Sequence, residues 1–429
     1  MKFLFKSVIV SILTLEAKLL LRRTKPKIIA ITGSVGKTTT KDAIYAVLKD
    51  RYRARKSEKS YNSEIGVPLT VLGLKNAWNS PIGWVRNIVD GAMAALMPHA
   101  YPDVLVLEMG VDRPGDMKKF ARWIKPDVVV LTRLPDVPVH VEFFDSPQAV
   151  IAEKLQLVHA LKPEGVLVYN NDDEAVRIAA AEIRQKSIGY SRYSPTDFAA
   201  TQDVIRYEGA TPVGMSFTLT HQHEESVTVE IDGCIGVQHT YSTAAAAAVG
   251  SLFDISLQQV AAACKQYPAP APGRMRIVPG IKDTIILDDS YNASPVAVER
   301  ALLTLKEVRT KARRIAVLGD MLELGRYSVD AHKEVGMHAA KNSDILITVG
   351  VRARGIAEGA LAAGMNEAMI FQYDEVSRAG IELQNLMQTG DVILVKGSQG
   401  IRLERLIEEV MREPERAEEL LVRQSKAWK

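Results

Sequence analysis

The residues best suited to chemistry form a glycine-rich turn near the start of the chain. The stretch from Ile28 to Lys41 reads IIAITGSVGKTTTK, an apolar segment followed by a turn, a lysine and three threonines. Such a turn between a strand and a helix points backbone N–H groups and a helix N-terminus at a phosphate. The pattern predicts that Lys37 contacts the β- and γ-phosphates of a nucleotide and that Thr38 ligates Mg²⁺. Ile31 replaces the first glycine of the full motif, so an ordinary strand–turn–helix corner is the alternative.

Other candidate residues follow predicted strands, where open α/β sheets bind their ligands. Glu108 ends an apolar strand and suits Mg²⁺, although a solvated carboxylate at a strand end is the alternative. His140 follows the predicted strand Val128–Thr132, which favours a metal or acid–base role over a structural one. Lys154 falls within a helical pattern, which by itself predicts a lysine on the protein surface.

The second half of the chain contains three further turns with polar or glycine-rich sequence. Residues Asp288–Pro295 read DDSYNASP and suit either a nucleotide or metal site, or helix capping by Asn292 or Ser294. The turns Val317–Gly325 and Val395–Gly400 each leave an apolar strand through glycines. Together these turns predict one ligand-binding crevice in this half.

The pattern between these residues alternates strands and helices from Lys27 onward. It predicts an α/β fold with a mostly parallel sheet covered by helices. A Pro- and Gly-rich segment, 268–273, separates a second alternation of the same kind. We therefore predict an N-terminal apolar helix over 1–26, a central phosphate-loop domain over 27–270 and a C-terminal Rossmann-like domain over 271–429. The charged tail 413–429 predicts a surface helix.

Composition narrows the class of protein. The chain has 429 residues, 47% of them hydrophobic and 24% charged, with a net charge of +3, which is ordinary for a globular protein. Without a dense basic run, no nucleic-acid partner is expected. Cys234 and Cys264 lack metal-type spacing and predict buried thiols in a reducing, cytoplasmic compartment. Residues 3–21 are apolar but interrupted by charges, which predicts a helix packed on the first domain or, alternatively, one lying on a membrane.

Taken together, the motifs resemble those of a known family. The residues that carry the resemblance are Thr32–Lys41, Asn62–Thr70, Leu107–Gly110, Asp288–Pro295, Val317–Gly325 and Val395–Ser398. The chain resembles the Mur ligases, and within them the type that adds D-Ala-D-Ala to a UDP-N-acetylmuramoyl peptide in peptidoglycan synthesis. The resemblance implies an ATP- and Mg²⁺-dependent ligase that forms an acyl phosphate and then an amide bond. It also implies a monomer with nucleotide and peptide substrates.

The resemblance also implies roles for particular residues. Lys37, His140 and Lys154 would serve catalysis, and Lys154 would be carbamylated, which reverses the interpretation from the helical pattern alone. The ATP phosphates would be held by Gly33, Ser34, Val35, Gly36, Lys37, Thr38 and Thr39. Asn292, Arg274 and Asp320 would contact the nucleotide from the second domain. Metal ligands would be Thr38, Glu108, His140 and Lys154. The substrate would be contacted by Asn62, Lys396 and Ser398.

The chain also departs from the family pattern. The family carries an N-terminal UDP-binding domain, but here the phosphate loop begins at residue 33, so we expect UDP recognition to differ. Gln399 replaces the arginine that usually follows Lys-Gly-Ser, and 78–97 looks like an inserted amphipathic helix. With 3–21, that helix is expected to cover a bare face of the protein or to touch a membrane. These departures favour, as an alternative, a ligase with a non-UDP acceptor. A nucleotide-binding assembly subunit without catalysis is a further alternative, against which the intact Lys37, Thr38 and Glu108 argue.

Overall fold

A computed structural model describes residues 2–58, 61–97, 100–222, 225–266 and 271–424. Half of the predicted linker 268–273, residues 268–270, therefore lies outside the described residues, and so do the last five residues of the tail. The predicted α/β fold is confirmed, since two helix-covered sheets make up the described chain. The division at 270 remains a prediction.

The first sheet supplies the edge at which the phosphate loop lies. Within the described residues it has nine strands in the order β2-β3-β1-β4-β5-β6-β7-β8-β9. The strands up to β7 run parallel, and β7, β8 and β9 form an antiparallel meander. Their bounds are β1 Lys27–Thr32, β2 Ala54–Lys56, β3 Val104–Glu108, β4 Val128–Leu131, β5 Val166–Asn170, β6 Lys186–Ser191, β7 Phe198–Glu208, β8 Thr211–His221 and β9 Glu225–Asp232.

The central strands are apolar along their whole length because helices cover both faces of the sheet. All five residues of β3 are buried, which fits a continuous Val/Leu run rather than an alternating one. The helices of this half are α1 Lys2–Thr24, α2 Lys37–Leu48, α3 Gly66–Leu72, α4 Pro81–Leu96, α5 Asp116–Ala121, α6 Pro147–His159, α7 Glu174–Ala181, α8 Gln238–Ser251 and α9 Leu257–Gln266. A short 3₁₀ turn, Val141–Phe143, follows β4.

The second sheet has the order β10-β11-β15-β12-β13-β14 in the described chain, and only its edge strand β10 is antiparallel. Its strands are β10 Arg276–Pro279, β11 Ile285–Asp289, β12 Arg314–Gly319, β13 Ile345–Val349, β14 Ile370–Tyr373 and β15 Val392–Lys396. Its helices are α10 Pro295–Glu307, α11 Ser328–Asn342, α12 Arg354–Ala362, α13 Val376–Leu386, α14 Glu404–Val410 and α15 Ala417–Leu420. The predicted strands at Asp288, Leu318 and Lys396 are confirmed to within one residue.

The N-terminal helix α1 packs on the first half of the molecule, as one of the two sequence interpretations predicted. Leu13, Ala17 and Leu20 are fully buried against α3 and α4. Gly91 of α4 lies so close that a Cβ there would sit 2.2 Å from Oε2 of Glu16, so glycine permits the close crossing of the two helices. Among the described residues, no helix is long and apolar enough to cross a membrane.

The C-terminal tail corrects a prediction from the sequence. Instead of forming a surface helix, it makes a 3₁₀ turn at Pro414–Arg416 and the one-turn helix α15, then folds back over the second sheet. Ala417, Leu420 and Leu421 are buried in the core of that sheet. Their burial fixes the position of the residues that follow them.

Candidate functional site

The phosphate loop connects β1 to α2 at the carboxyl edge of the first sheet. Gly33 and Gly36 both have positive φ, 134° and 86°, which a residue with a side chain rarely adopts. A Cβ at Gly33 would lie 2.0 Å from Oγ1 of Thr132, so the neighbouring strand end also requires glycine there. The loop and the first turn of α2 line a cavity of about 1590 Å³. The loop therefore faces a space large enough for a nucleotide.

Two side chains of the loop are prepared for an anionic ligand. Nζ of Lys37 donates to the carbonyl oxygens of Gly33 (2.8 Å) and Ser34 (3.4 Å). Burial lowers the pKa of Lys37, although the carboxylate of Glu108 opposes that shift. Oγ of Ser34 is buried without a hydrogen-bond partner. A phosphate oxygen would satisfy both groups.

Glu108 is fully enclosed at the end of β3, beside the loop. Nζ of Lys41 lies 3.4 Å from its Oε2, and Nδ2 of Asn62 donates to its Oε1 at 3.3 Å. Burial opposes ionisation of Glu108, but Lys41, Lys37 and Arg274 outweigh it and hold its pKa below the usual value. The carboxylate is thus charged near the Thr38 hydroxyl, which also hydrogen-bonds to it. Lys41, four residues after Lys37 on the same helix face, had been given no role from the sequence.

His140 lies where the two halves of the molecule meet. Its backbone has φ 70°, and its Nδ1 is 2.7 Å from Oε2 of Glu323, which the turn after β12 carries. Its Nε2 is 3.8 Å from Oδ1 of Asp112, another cavity residue that the sequence analysis missed. The N–H of Glu142 also donates to the carbonyl of Glu323 at 3.3 Å. These contacts join the phosphate-loop side of the cavity to the second sheet.

Lys154 is buried in α6. The helical pattern alone predicted a surface lysine, and that prediction is wrong. Only 2% of it is exposed, and it shares a helix face with Val150, Leu157 and Val158. Burial, with the nearby Lys37, lowers its pKa to about 7. The amine is therefore largely neutral at slightly alkaline pH. Lys154 does not itself line the cavity but lies behind the phosphate loop.

The turn after β11 follows two neighbouring carboxylates, Asp288 and Asp289, which make different contacts. Asp288 is fully buried and accepts hydrogen bonds from Gly273 N–H (2.9 Å) and from Ser290 N–H and Oγ, so it fixes the turn; burial raises its pKa to about 6. Asp289 pairs with Nζ of Lys396 at 2.6 Å, and Lys396 also donates to the carbonyl of Asn292 at 2.8 Å. Ser294 begins α10 without a side-chain capping bond, so capping does not explain this turn.

Arg274 reaches across the cavity from the second half of the chain. Its Nη2 donates to Oγ1 of Thr38 at 3.1 Å, and its guanidinium lies 4.0 Å from the ring centre of Tyr291. Arg423 of the tail lies 5.6 Å from the centre of the same ring and donates to the carbonyls of Ser290 and Tyr291. The tail thus forms part of the cavity wall, a contribution that no sequence motif had predicted.

Asp320 makes a structural contact in the second half of the molecule. It is buried, it is not among the lining residues, and its Oδ1 accepts from Ala353 N–H at 2.7 Å just before α12. Ser398 does line the cavity, and its Oγ accepts from Leu322 N–H at 2.9 Å. His332 supports the same turn, since its Nε2 accepts from Met321 N–H at 3.0 Å. Asp320 thus supports the start of α12, and its contact with a nucleotide stays a prediction. Ser398 and His332 position the turn that carries Glu323.

The donor atoms near the loop suit Mg²⁺. Among the described side chains no group of three or more His, Cys, Asp and Glu residues could hold a metal. Mg²⁺, however, takes few protein ligands when it is shared with phosphates. Thr38 and Glu108 supply a hydroxyl and an ionised carboxylate side by side, which are the hard oxygen donors that this ion prefers.

The two halves of the chain match two domain families. Residues 31–81 and 87–250 match the Mur ligase middle domain, and residues 273–399 match the glutamate ligase domain of Mur ligases. The UDP-N-acetylmuramoyl-tripeptide–D-alanyl-D-alanine ligase of Bacillus subtilis is 30% identical over 406 residues, covering 93% of this chain and 79% of that protein. The enzyme of the same name from Escherichia coli is 27% identical over 388 residues, covering 89% and 76%.

Solved structures share the fold. MurF ligase from Thermotoga maritima in complex with ADP has a TM-score of 0.75 at 23% identity, covering 96% of this chain and 84% of that one. MurF from Acinetobacter baumannii also gives 0.75 at 23% identity, with coverage of 93% and 79%. From these matches, the chain belongs to the Mur ligase family of ATP-dependent ligases.

Proposed function

We propose that this protein joins D-Ala-D-Ala to a UDP-N-acetylmuramoyl tripeptide in peptidoglycan precursor synthesis, at the expense of ATP. The observation that carries the proposal is the single cavity shared by the phosphate loop, Glu108 and the Asp289–Asn292 turn. Curated relatives that align with most of this chain carry that name. The geometry of the phosphate loop supports ATP binding more directly than it supports the rest of the proposed reaction.

The reaction would proceed in two steps. A carboxylate oxygen of the acceptor attacks the γ-phosphorus of ATP and displaces ADP, which gives an acyl phosphate. The amine of D-Ala-D-Ala then attacks the acyl carbon, loses a proton and displaces inorganic phosphate, which leaves the amide. Catalysis of this kind depends on positioning and on neutralising charge on the transferred group. Lys37 and the loop N–H groups would do both.

The residues that hold the nucleotide come from both halves. Ser34–Thr39 would hold the phosphates, while Arg274 and Asn292 would contact the nucleotide from the second half. Thr38 and Glu108 would hold Mg²⁺, which would supply positive charge to the phosphate oxygens. Asn62, Lys396 and Ser398 line the same cavity and are proposed to face the acceptor or the amine.

We further propose that Lys154 is carbamylated and, with His140, holds a second Mg²⁺. Carbamylation needs a neutral amine to add to CO₂, and the lowered pKa of Lys154 supplies one. Asp112 interacts electrostatically with Lys154 and lies near His140, which supports a shared cation site in this part of the cavity. The added carboxylate would provide the oxygen donor that an amine lacks.

We propose a monomer that works in the cytoplasm beside a membrane. Buried Cys234 and Cys264 fit a reducing compartment, and burial raises the pKa of both thiols, that of Cys264 to about 11. The membrane contact rests on the exposed apolar side chains of α1 and α4.

A phosphate-release assay would test the function. It would combine the protein, ATP and Mg²⁺ with UDP-N-acetylmuramoyl tripeptide or simple carboxylates, each with D-Ala-D-Ala or single amino acids. We expect release only with the UDP-linked tripeptide and the dipeptide together. Release with another carboxylate would replace the proposed acceptor but retain the ligase chemistry. Absence of release with every pair would contradict a catalytic role.

A further inference from the structure

The outward face of α4 is an almost continuous apolar stripe. Ile82, Val85, Val89, Met93 and Leu96 recur at spacings of three and four residues, so they lie on one side of the helix. Each is 45–83% exposed. A surface helix normally turns polar side chains to solvent, whereas a stripe of this kind marks an interaction site.

The stripe is not a consequence of how α4 packs. The helix contacts the protein through a different face, on which Trp84, Asn87, Gly91 and Ala95 are buried. On the outward face the charged residue Arg86 is paired with Asp90 at 3.5 Å. The inner face alone therefore accounts for the packing of α4 on the protein. That packing does not explain why the outward face is apolar.

Helix α1 extends this surface. It packs on α4, where Nη2 of Arg23 donates to the carbonyl of Ala94 at 2.8 Å. Its own outward positions include Val8, Leu15 and Leu19, which are 40–58% exposed. We call the exposed apolar side chains of α1 and α4 the apolar helical face.

The two segments that form this face are strongly basic in sequence, although Lys6 pairs with Glu64 at 2.9 Å. Segments 2–25 and 75–97 contain eight basic residues but only two acidic ones, Glu16 and Asp90, although the whole chain carries a net charge of only +3. The basic residues are Lys2, Lys6, Lys18, Arg22, Arg23, Lys25, Lys75 and Arg86. Glu16 is buried under α4, so it does not oppose this charge at the surface. Apolar side chains bordered by Lys and Arg are the combination that binds anionic lipid surfaces.

We propose that the apolar helical face binds the surface of a bilayer that contains anionic lipids, with α1 and α4 lying in the interface. No helix of the described chain is long and apolar enough to span a membrane, so contact in the plane is the mode available to these helices. Trp78, half exposed just before α4, adds an aromatic side chain of the type enriched at such interfaces.

The location of Trp78 links the face to the active site. Trp78 is half exposed three residues before α4 begins, and it also lines the cavity together with Asn76 and Tyr61. Membrane binding would therefore bring an edge of the cavity to the lipid surface. The proposal does not depend on which acceptor the ligase uses, because binding is measured without turnover.

Vesicle flotation of the full chain tests the proposal. We expect the wild type to float with vesicles of phosphatidylcholine and phosphatidylglycerol, and to float less with phosphatidylcholine alone or at high salt. The double variant Val85→Asp/Val89→Asp should reduce the bound fraction about tenfold or more, because two apolar contacts are replaced by two repelled charges. The matched control Val329→Asp/Ile381→Asp changes equally exposed side chains on α11 and α13 and should float like the wild type.

Several outcomes would overturn the proposal. It fails if the wild type stays at the bottom of the gradient, if it floats equally with neutral vesicles, or if the Val85/Val89 variant floats like the control. Light scattering after size-exclusion chromatography tests whether a second copy of the chain binds the apolar helical face instead of a membrane. A wild-type dimer that the Val85/Val89 substitutions convert to a monomer would assign the face to self-association instead. Unchanged thermal unfolding of the variant shows that it is folded.

Discussion

The two sides of the cavity hold their charged groups in different ways. On the first-sheet side, Lys37, Lys41 and Glu108 are buried within one loop, one helix and one strand end. On the second-sheet side, Lys396 and Arg423 are tied to backbone carbonyls of the Ser290–Asn292 turn. The first arrangement places charge where phosphate would react, and the second fixes the shape of the wall. Substitutions on the first side should therefore lower kcat, and those on the second side should mainly raise KM.

The largest effect is expected from Lys37→Ala on the first side. Removing the ammonium group should lower kcat for phosphate release by at least about 100-fold, because a preorganised charge on the transferred group is lost. Release of phosphate at saturating substrates measures it. Lys186→Ala, which changes an exposed lysine of β6, is the control. Turnover like that of the wild type would remove Lys37 from the mechanism.

Lys154 should give the next largest effect and a distinctive pH dependence. Lys154→Ala should lower kcat about 10- to 100-fold, as for residues that support a metal ligand set. Its pKa is lowered to about 7, so the neutral amine needed for carbamylation is present above that pH and is lost as pH falls through it. We therefore expect wild-type activity to fall below about pH 7 and on removal of CO₂.

Lys162→Ala on the surface of the same half serves as the control for Lys154. Partial recovery of the alanine variant by short carboxylic acids would support a missing carboxylate. Carbamylation would be contradicted if the activity did not depend on CO₂ and mass spectrometry showed no modification of Lys154.

Glu323→Gln tests the contact between the two sides. Losing the charge 2.7 Å from His140 should lower kcat/KM about 5- to 10-fold, because Glu323 is 42% exposed and solvent reduces the contribution of a hydrogen bond to a charged group. Steady-state kinetics measure the change, with Glu334→Gln on the exposed face of α11 as the control. If kcat/KM is unchanged, the contact does not assemble the site.

Much of this arrangement was predictable from the sequence, and the failures have physical reasons. Apolar runs followed by glycine or polar turns placed β1, β3, β11 and β15 correctly, because buried parallel strands are largely apolar. Lys154 was misjudged although it is in register with Val150 and Leu157, since a lysine on an apolar helix face is normally a surface residue whose charge stays in water. The nucleotide contact predicted for Asp320 stays a prediction, since a strand-end carboxylate serves a ligand and a neighbouring helix equally well.

The prediction of a surface helix for the tail was wrong for a different reason. The many charged residues of the tail suggested that it would be exposed to solvent. Its few apolar residues, Ala417, Leu420 and Leu421, are nevertheless buried against the second sheet and anchor it there. Nothing local in the sequence shows that Arg423 then reaches Tyr291, because that contact depends on tertiary packing.

The smallest effect is expected from Arg423→Ala on the second-sheet side. The guanidinium supports the Ser290 and Tyr291 carbonyls and one face of the Tyr291 ring, but no reacting group is near it. Its removal should raise KM for ATP about 3- to 10-fold and leave kcat nearly unchanged, because the wall loosens while the phosphate loop keeps its charges. Arg405→Ala, exposed on α14, should change neither constant. A fall in kcat as large as that of Lys37→Ala would mean that the tail takes part in the chemistry, and the distinction between the two sides of the cavity would no longer hold.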